Sequence, residues 1–155
     1  MSIKASEKVP APDASREEVF AWNAAVLEEY RANGGQVGGA MAGMDLLLLT
    51  TTGARSGKPR SILTLHHRDG DRYLVVASNF GKPRHPDWYH NLVSTPEVTV
   101  EVEGERFAAD AVVLDGAERD RAFETVARRY PFYAGYQAGV TRTIPVVALT
   151  RADRA

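Results

Sequence analysis

The chain has 155 residues, of which 44% are hydrophobic and 25% charged, a balance typical of one globular domain and not of a disordered segment. It contains no cysteine, which excludes disulfides, thiolate metal sites and cysteine nucleophiles. No apolar run reaches the length that crosses a bilayer, and the amino-terminal residues lack the apolar core of a secretory signal. We therefore expect a cytoplasmic protein.

The net charge of −1 conceals an uneven distribution of charge along the chain. Residues 55–84 carry seven basic and two acidic side chains, a net charge of +5, while the rest of the chain carries −6. A local positive potential of this kind concentrates anionic ligands. It is too small and too confined to favour nucleic acid, which usually binds to domains that are basic overall.

Residues 1–14 are predicted to form a flexible arm, because prolines and small polar residues are frequent there. Residues 15–155 are predicted to form a single domain, which begins with a helix over residues 15–33. The start of this helix is indicated by Ser15 and Glu18, whose spacing is that of a capping box, and its end by a pair of glycines.

The glycine-dense residues 34–43 are predicted to be a linker or a lid hinge. A dinucleotide-binding fingerprint follows a strand and begins a helix, whereas this stretch follows a helix, so that kind of site is excluded. Beyond the linker, β-prone runs separated by turn residues predict six strands, over residues 45–50, 61–67, 72–78, 97–103, 106–114 and 144–150.

Helices and loops are predicted between these strands. Asp87 is predicted to cap a short helix over residues 88–92. A second helix is predicted over residues 117–129, where apolar residues recur every three to four positions and Pro131 stops it. Residues 132–143 are predicted to be a loop. The fold class is therefore α+β, a small barrel of about six mostly antiparallel strands with flanking helices.

The run TTTGARSGKPR, residues 50–60, joins the first two predicted strands and is the most distinctive stretch of the chain. It combines the cations Arg55, Lys58 and Arg60 with two glycines and four hydroxyls. Glycines let the backbone approach a ligand closely, and cations, hydroxyls and free N–H groups suit an anion. On composition alone, a solvated basic turn and an anion-binding site are equally good interpretations.

Four motifs resemble, in their order and spacing, the deazaflavin-dependent nitroreductase family of actinobacteria. The resemblance runs from Leu46 to the carboxyl terminus and implies a split β-barrel that binds coenzyme F420 in its reduced form, F420H2. It further implies an F420-dependent reductase that passes a hydride to a small-molecule acceptor, such as a nitroimidazole, a quinone or an activated enone. The four motifs are TTTGARSGKPR (50–60), HPDWYHNL (85–92), YPFYAGYQ (130–137) and IPVVAL (144–149).

The resemblance also implies roles for individual residues. Tyr133 and Tyr136 match tyrosines that line the family's acceptor pocket, where a phenol donates a proton or a hydrogen bond, and Ser78 is the next candidate for that role. Some family members carry a Lys-Gly pair where this chain has Asn79-Phe80, which leaves open whether this loop donates a cation. The residues that match cofactor-binding positions are Thr52, Arg55, Ser56, Lys58, Pro59, Arg60, Ala77, Ser78, Asn79, Lys82, Trp88 and Asn91.

Several alternatives stay open at this point. The same barrel could hold F420, a flavin or a fatty-acyl ligand without turnover, or serve as an FMN-dependent reductase, because FMN also carries a phosphate. No metal site is predicted, since Pro86 separates His85 from His90 and no acidic ligand pattern accompanies them. We expect a monomer or a weak homo-oligomer, and a peripheral contact with the inner face of the membrane stays open.

Overall fold

The computed structural model of the chain describes residues 9–38 and 43–152, which form four helices and seven strands. None of the helices in this described part is both long and apolar enough to cross a membrane. The helices are α1 (Arg16–Ala32), α2 (Asp87–Ser94), α3 (Gly116–Arg129) and α4 (Phe132–Ala138). The strands are β1 (Leu46–Thr52), β2 (Pro59–Leu65), β3 (His67–Asp69), β4 (Arg72–Val76), β5 (Glu97–Val102), β6 (Glu105–Val113) and β7 (Val146–Arg151).

All seven strands belong to one antiparallel sheet, in the order β2-β1-β5-β6-β7-β4-β3. The two edge strands, β2 and β3, are consecutive in sequence and only His66 separates them. Because the chain steps from one edge to the other across a single residue, the edges lie side by side and the sheet curls into a split barrel. The predicted α+β split barrel is confirmed, with seven strands where about six were expected.

Successive residues of the strands face two different apolar clusters. Leu47 and Leu49 of β1 point into the barrel, where they meet inward-facing residues of β4, β5, β6 and β7. Leu48 points outward into a second cluster, to which α1, α3 and α4 contribute. Leu92 of α2 is 1% exposed and belongs to the interior cluster, so α2 is held against the barrel.

The first helix begins where the sequence predicts. Ser15 Oγ accepts the N–H of Glu18, and the Glu18 carboxylate accepts the N–H of Ser15, which completes the capping box. Val26 of this helix is fully buried in the outer cluster. Residues 1–8 of the predicted arm and residues 39–42 of the predicted linker lie outside the described part of the chain.

Two local predictions around the later helices are wrong. Asp87 is not a cap, because Pro86 occupies that position; Asp87 is the first residue of α2, and its carboxylate binds Arg16 of α1 at 2.7 Å. Residues 132–143 are not entirely loop, because they begin with α4. Pro131 ends α3 but takes a helical conformation itself (φ −60°, ψ −23°), so a new helix starts directly after it.

The single strand predicted over residues 61–67 is also wrong, because it is broken at His66, where the chain changes edge. This imidazole is 4% exposed, and its Nδ1 has no hydrogen-bond partner among the described residues. Its ring packs edge-on against Tyr73, with centroids 5.4 Å apart. Burial lowers the pKa of His66, and the carboxylates of Asp45 and Glu103 offset that effect only in part.

Acid should therefore destabilise the fold through His66. The contribution of His66 to the free energy of unfolding is expected to be complete above about pH 6.5. It should decrease as the pH falls from there towards the lowered pKa of His66, because only the unfolded chain takes up the proton in that range. His66→Phe keeps a ring against Tyr73 and removes the titrating group, so this variant should lose less stability. Urea denaturation at several pH values measures the effect, with His90→Gln at an exposed histidine as the control. A His66→Phe profile as steep as that of the parent would contradict the assignment.

Candidate active site

The turn between β1 and β2, residues 53–58, and the first two residues of β2 are together here called the basic turn (residues 53–60). Its backbone is fixed by internal hydrogen bonds. The Gly53 N–H donates to the Lys58 carbonyl at 2.8 Å, and the Gly57 N–H donates to the Gly53 carbonyl at 2.9 Å. Ser56 Oγ accepts the Lys58 N–H at 3.1 Å. A Cβ on Gly53 would lie 2.5 Å from Ser56 Oγ, so a larger residue there would displace the Ser56 side chain.

The basic turn presents its cations to solvent. Arg55, Lys58 and Arg60 are exposed, and none of them forms an ion pair with a residue in the described part of the chain. By contrast, Arg16 and Arg72 are each paired with a carboxylate. Three uncompensated positive charges on a fixed backbone suit an anionic ligand.

One buried side chain fastens the basic turn to α2. Asn91, 8% exposed, accepts the N–H of Ala54 through Oδ1 at 2.9 Å and donates from Nδ2 to Thr51 Oγ1 at 3.1 Å. Thr51 is 1% exposed, because the alternation of β1 points it into the barrel. The amide is thus satisfied at both ends. Predicted cofactor residues of the turn and of α2 are therefore brought together.

The predicted cofactor-binding residues Ala77 and Ser78 extend from the end of β4. Ala77 is fully buried, and its N–H donates to the Pro145 carbonyl at 2.9 Å, which fixes the strand end. Ser78 is partly exposed. Trp88 of α2 is partly buried against the interior cluster, so it has a packing role whatever else it contacts.

The loop after β4 begins with an unusual left-handed turn. Asn79, Phe80 and Gly81 have φ values of 50°, 58° and 78°. This conformation is costly for a bulky side chain, and such strain is concentrated at functional sites. The Phe80 ring packs edge-on against Trp22 of α1, with centroids 5.3 Å apart. Asn79 Nδ2 donates to the Arg84 carbonyl at 3.1 Å, so that amide is engaged within its own loop.

Lys82 does not join the cations of the basic turn. Its side chain is buried, with the residue 5% exposed, and Nζ donates to the carbonyls of Pro12, at 3.0 Å, and of Ala14. The lysine thereby holds the segment that precedes α1. A contact between this ammonium and a cofactor would require those hydrogen bonds to open.

The two predicted acceptor tyrosines lie on α4, in an aromatic cluster with Tyr130 and Phe132. Tyr133 is 4% exposed, whereas Tyr136 is only partly buried. Burial raises the pKa of both phenols, so each stays protonated and able to donate at neutral pH. A Cβ on Gly81 would lie 2.7 Å from Tyr136 Cδ1, so the tyrosine packs directly on the left-handed turn.

A shallow depression of about 360 Å³ lies on the outer face of β1, β5 and β6, beside the basic turn. Two predicted cofactor residues, Thr52 and Pro59, line it. Neither Ser78 nor the tyrosines of α4 do. The other lining residues are Thr50, Thr51, Glu97, Val98, Thr99, Arg106 and Ala108.

The histidines are placed for packing and hydrogen bonding. The His85 ring lies 4.6 Å from that of Tyr89 and 5.8 Å from that of His90, centroid to centroid. In residues 9–38 and 43–152, no group of three or more His, Asp or Glu side chains is positioned to hold a metal ion.

Arg142 is a site residue that the sequence patterns do not indicate. Its Nη2 donates to the Ser78 carbonyl at 2.9 Å and its Nε to the Lys82 carbonyl at 3.1 Å. Its Nη1 lies 3.3 Å from the Ala77 carbonyl and 2.9 Å from His85 Nδ1. One guanidinium thus forms hydrogen bonds both with the strand end and with the loop that follows it. Nothing around a lone arginine between a short helix and a strand signals this role.

Comparison with known proteins adds independent findings. The family model for F420H(2)-dependent quinone reductase matches residues 22–151. An F420H(2)-dependent quinone reductase of Mycobacterium tuberculosis (strain ATCC 25618 / H37Rv) is 42% identical over 129 residues, which cover 79% of this chain and 85% of that protein.

Two solved structures are similar as well. One is an F420-H2 dependent reductase, FDR-A, with 37% identity and a TM-score of 0.63; the match covers 68% of this chain and 93% of that one. The other is described as a domain-swapped dimer, with 33% identity and a TM-score of 0.65, and it covers 86% of this chain and 97% of that one.

The link between the basic turn and α2 can be tested through Asn91. Asn91→Ala should lower the free energy of unfolding by about 1–3 kcal/mol, because it leaves the Thr51 hydroxyl and the Ala54 N–H without their partner. Val93→Ala, at a 54% exposed position of the same helix, is the matched control and should have a small effect. Both are measured by urea denaturation. If the two variants were equally stable, the amide would not hold the turn.

Proposed function

Because this chain belongs to the F420H(2)-dependent quinone reductase family, it is an F420-dependent reductase, and we propose that it transfers a hydride from reduced F420 to a quinone. The observation that carries the proposal is the basic turn, whose three cations have no ion-pair partner among the described residues and whose hydrogen-bonded backbone is joined to α2 through Asn91. Nitroaromatic compounds and activated enones are further proposed acceptors, since they too are electron-poor.

The basic turn fits the anionic part of F420, which consists of a phosphodiester and a polyglutamate tail. We propose that Arg55, Lys58 and Arg60, whose side chains are exposed, bind these anions. Ser56 Oγ already accepts the Lys58 N–H, so its own proton is available for a phosphate oxygen. Thr52 and Pro59, at the base of the turn, are proposed to flank the tail in a groove shared with the outer depression.

The deazaflavin ring is proposed to lie at Ala77 and Ser78, beside α2. When bound, F420 supplies the hydride, while the protein supplies orientation and charge. Trp88 of α2 would form part of the wall of this ring-binding site. Asn91 contributes by holding the basic turn, because both ends of its amide are already bonded. Asn79 and Lys82 contribute through the shape of the loop, since their polar groups are engaged as well.

The chain's own chemical contribution is proposed to be hydrogen bonding to the acceptor oxygen. A quinone oxygen becomes more negative as the hydride arrives, and a nearby phenol stabilises that charge most strongly in the transition state. Tyr136, which is partly exposed and packs on Gly81, is proposed to make this contact directly, with buried Tyr133 behind it. After Tyr136, Ser78 or water is the next candidate to donate a proton to this acceptor oxygen.

Two other functions fit this barrel less well. A fatty-acyl carrier without turnover would bind one carboxylate, which gives no role to three unpaired cations. An FMN-dependent reductase, or a binding protein for FMN, would bind one phosphate and no polyglutamate. The number of cations on the basic turn therefore favours F420, whose tail carries several charges.

The location and assembly of the protein are proposed as follows. We propose a cytoplasmic monomer or weak homo-oligomer that reaches apolar quinones through a peripheral contact at the inner face of the membrane. Phe20 of α1 supports such a contact, because it is 68% exposed. A weak oligomer is included since one similar structure is described as a domain-swapped dimer.

Cofactor preference should depend on the cations of the basic turn. Arg55→Ala, Lys58→Ala and Arg60→Ala are each expected to weaken F420 binding roughly threefold to tenfold at low salt, because each removes one charge-assisted contact. The losses should shrink at high salt, where ions screen the parent too. Quenching of tryptophan fluorescence measures the affinity. The control is Arg128→Ala, an exposed arginine of α3 that should leave binding unchanged. If FMN bound as tightly as F420, the proposed preference for F420 would be contradicted.

The tyrosines should affect turnover and not cofactor binding. Tyr136→Phe is expected to lower kcat/KM for menadione by about tenfold or more, since the acceptor loses a hydrogen-bond donor in the transition state. Tyr133→Phe should have a smaller effect. Tyr130→Phe, in the same aromatic cluster, is the control, because its hydroxyl accepts the N–H of Asp45 at 3.3 Å and has a structural role. If both single variants and the double variant turned over menadione like the parent, the proposed role would be contradicted. Tyr133 and Tyr136 would then serve only in packing.

A further inference from the structure

The loop after β4 depends on an arginine that lies about sixty residues further along the chain. Arg142 donates to the carbonyls of Ala77, Ser78 and Lys82, at 3.3, 2.9 and 3.1 Å, and its Nη1 lies 2.9 Å from His85 Nδ1. These acceptors surround the left-handed turn, whose backbone is strained. A planar guanidinium reaches several acceptors at fixed angles, whereas an ammonium is a compact point charge.

We infer that Arg142 is a positioning residue for hydride transfer, which fixes the Ala77–Ser78 strand end and the loop through His85 in the shape that receives the ring. This inference rests on the proposed function, which assigns the ring to that strand end. In the described part of the chain, the side-chain hydrogen bonds of Arg142 go neither to the basic turn nor to the tyrosines of α4. Through the turn at Gly81, however, the same loop supports Tyr136.

The contact with His85 makes this support dependent on pH. Nη1 of Arg142 is a donor only, so His85 Nδ1 accepts, and the imidazole must be neutral with its proton on Nε2. The other groups facing His85 are Tyr89 and His90 of α2. Burial, the positive charge of Arg142 and His90 all lower the pKa of His85. Below about pH 6.5, protonation of His85 therefore favours a loop in which the Arg142–His85 hydrogen bond is broken. This effect grows as the pH falls towards the lowered pKa of His85.

Arg142→Lys tests the inference, with Arg119→Lys as the matched control. Arg119 is also largely buried, with its side chain 11% exposed, and it donates to the Ile144 carbonyl and to Gln137 Oε1 and to no carbonyl of the loop after β4 in the described part of the chain. Gln137 in turn donates to the Arg142 carbonyl at 2.8 Å, so this control disturbs the surroundings of Arg142 and keeps its guanidinium. We expect both variants to lose stability to a similar degree. Only Arg142→Lys should raise the Kd for F420, by about tenfold. Without cofactor, hydrogen exchange of the Gly81 and Lys82 amides should be faster in Arg142→Lys alone.

His85→Gln provides a second test that does not depend on the folding of the arginine variant. Its amide oxygen still accepts from Arg142 and does not titrate. At pH 7.5 its affinity for F420 should match that of the parent, whereas near pH 5.5 it should bind several-fold more tightly than the parent. Comparison at each pH cancels any titration of F420 itself. His90→Gln keeps His85 and its contact with Arg142, so it should still lose affinity in acid, with the onset moved slightly because one cause of the lowered His85 pKa is removed.

The possible outcomes separate this inference from the proposed function. A parent protein that fails to bind F420 contradicts the proposed function. A parent that binds, with Arg142→Lys equal to Arg119→Lys in affinity and loop exchange and His85→Gln equal to the parent at every pH, overturns the inference alone. Weaker binding and faster loop exchange in Arg142→Lys, or the acid-resistant affinity of His85→Gln, support it.

Discussion

The candidate site depends on one buried amide. Asn91 connects the basic turn, through Ala54, to the inward-facing hydroxyl of Thr51 and to α2, whose Leu92 is anchored in the barrel. Exposed cations on a free hairpin would bind an anion weakly, because ordering the hairpin on binding would oppose the attraction. With the backbone already fixed, that ordering is complete before the ligand arrives. We propose that the barrel thereby contributes to ligand binding through contacts within the protein.

A second set of contacts keeps the strained loop that precedes α2 in place. Phe80 in a left-handed conformation has a cost of about 1–3 kcal/mol, so the surroundings must hold the loop. Arg142 binds it from the strand side, and Trp22 and Tyr136 pack on it from α1 and α4. The loop therefore connects three elements that surround the proposed ring and acceptor positions. A change in any one of them should reach the others through this loop.

The sequence predicted those features that depend on local pattern. The capping box at Ser15, the alternation of β5 and the cations of the basic turn follow from residue spacing, and the structure has all three. The break at His66 was missed because it depends on which edges of the sheet meet, which no local window contains. Arg142 was missed for the same reason, since its partners are distant in sequence. Thr51 lies one residue beyond the predicted strand over residues 45–50, so its inward direction and its bond to Asn91 follow only from the longer strand in the structure.

We propose that the basic turn and the Ala77–Ser78 strand end belong to one cofactor site. A crystal structure of the protein with F420 would test this proposal. We expect the phosphate and glutamate groups to lie within hydrogen-bond distance of the basic turn, and the ring to lie at Ala77 and Ser78 beside α2. A cofactor whose ring occupies the outer depression at Thr99 and Arg106, with the strand end unoccupied, would contradict it.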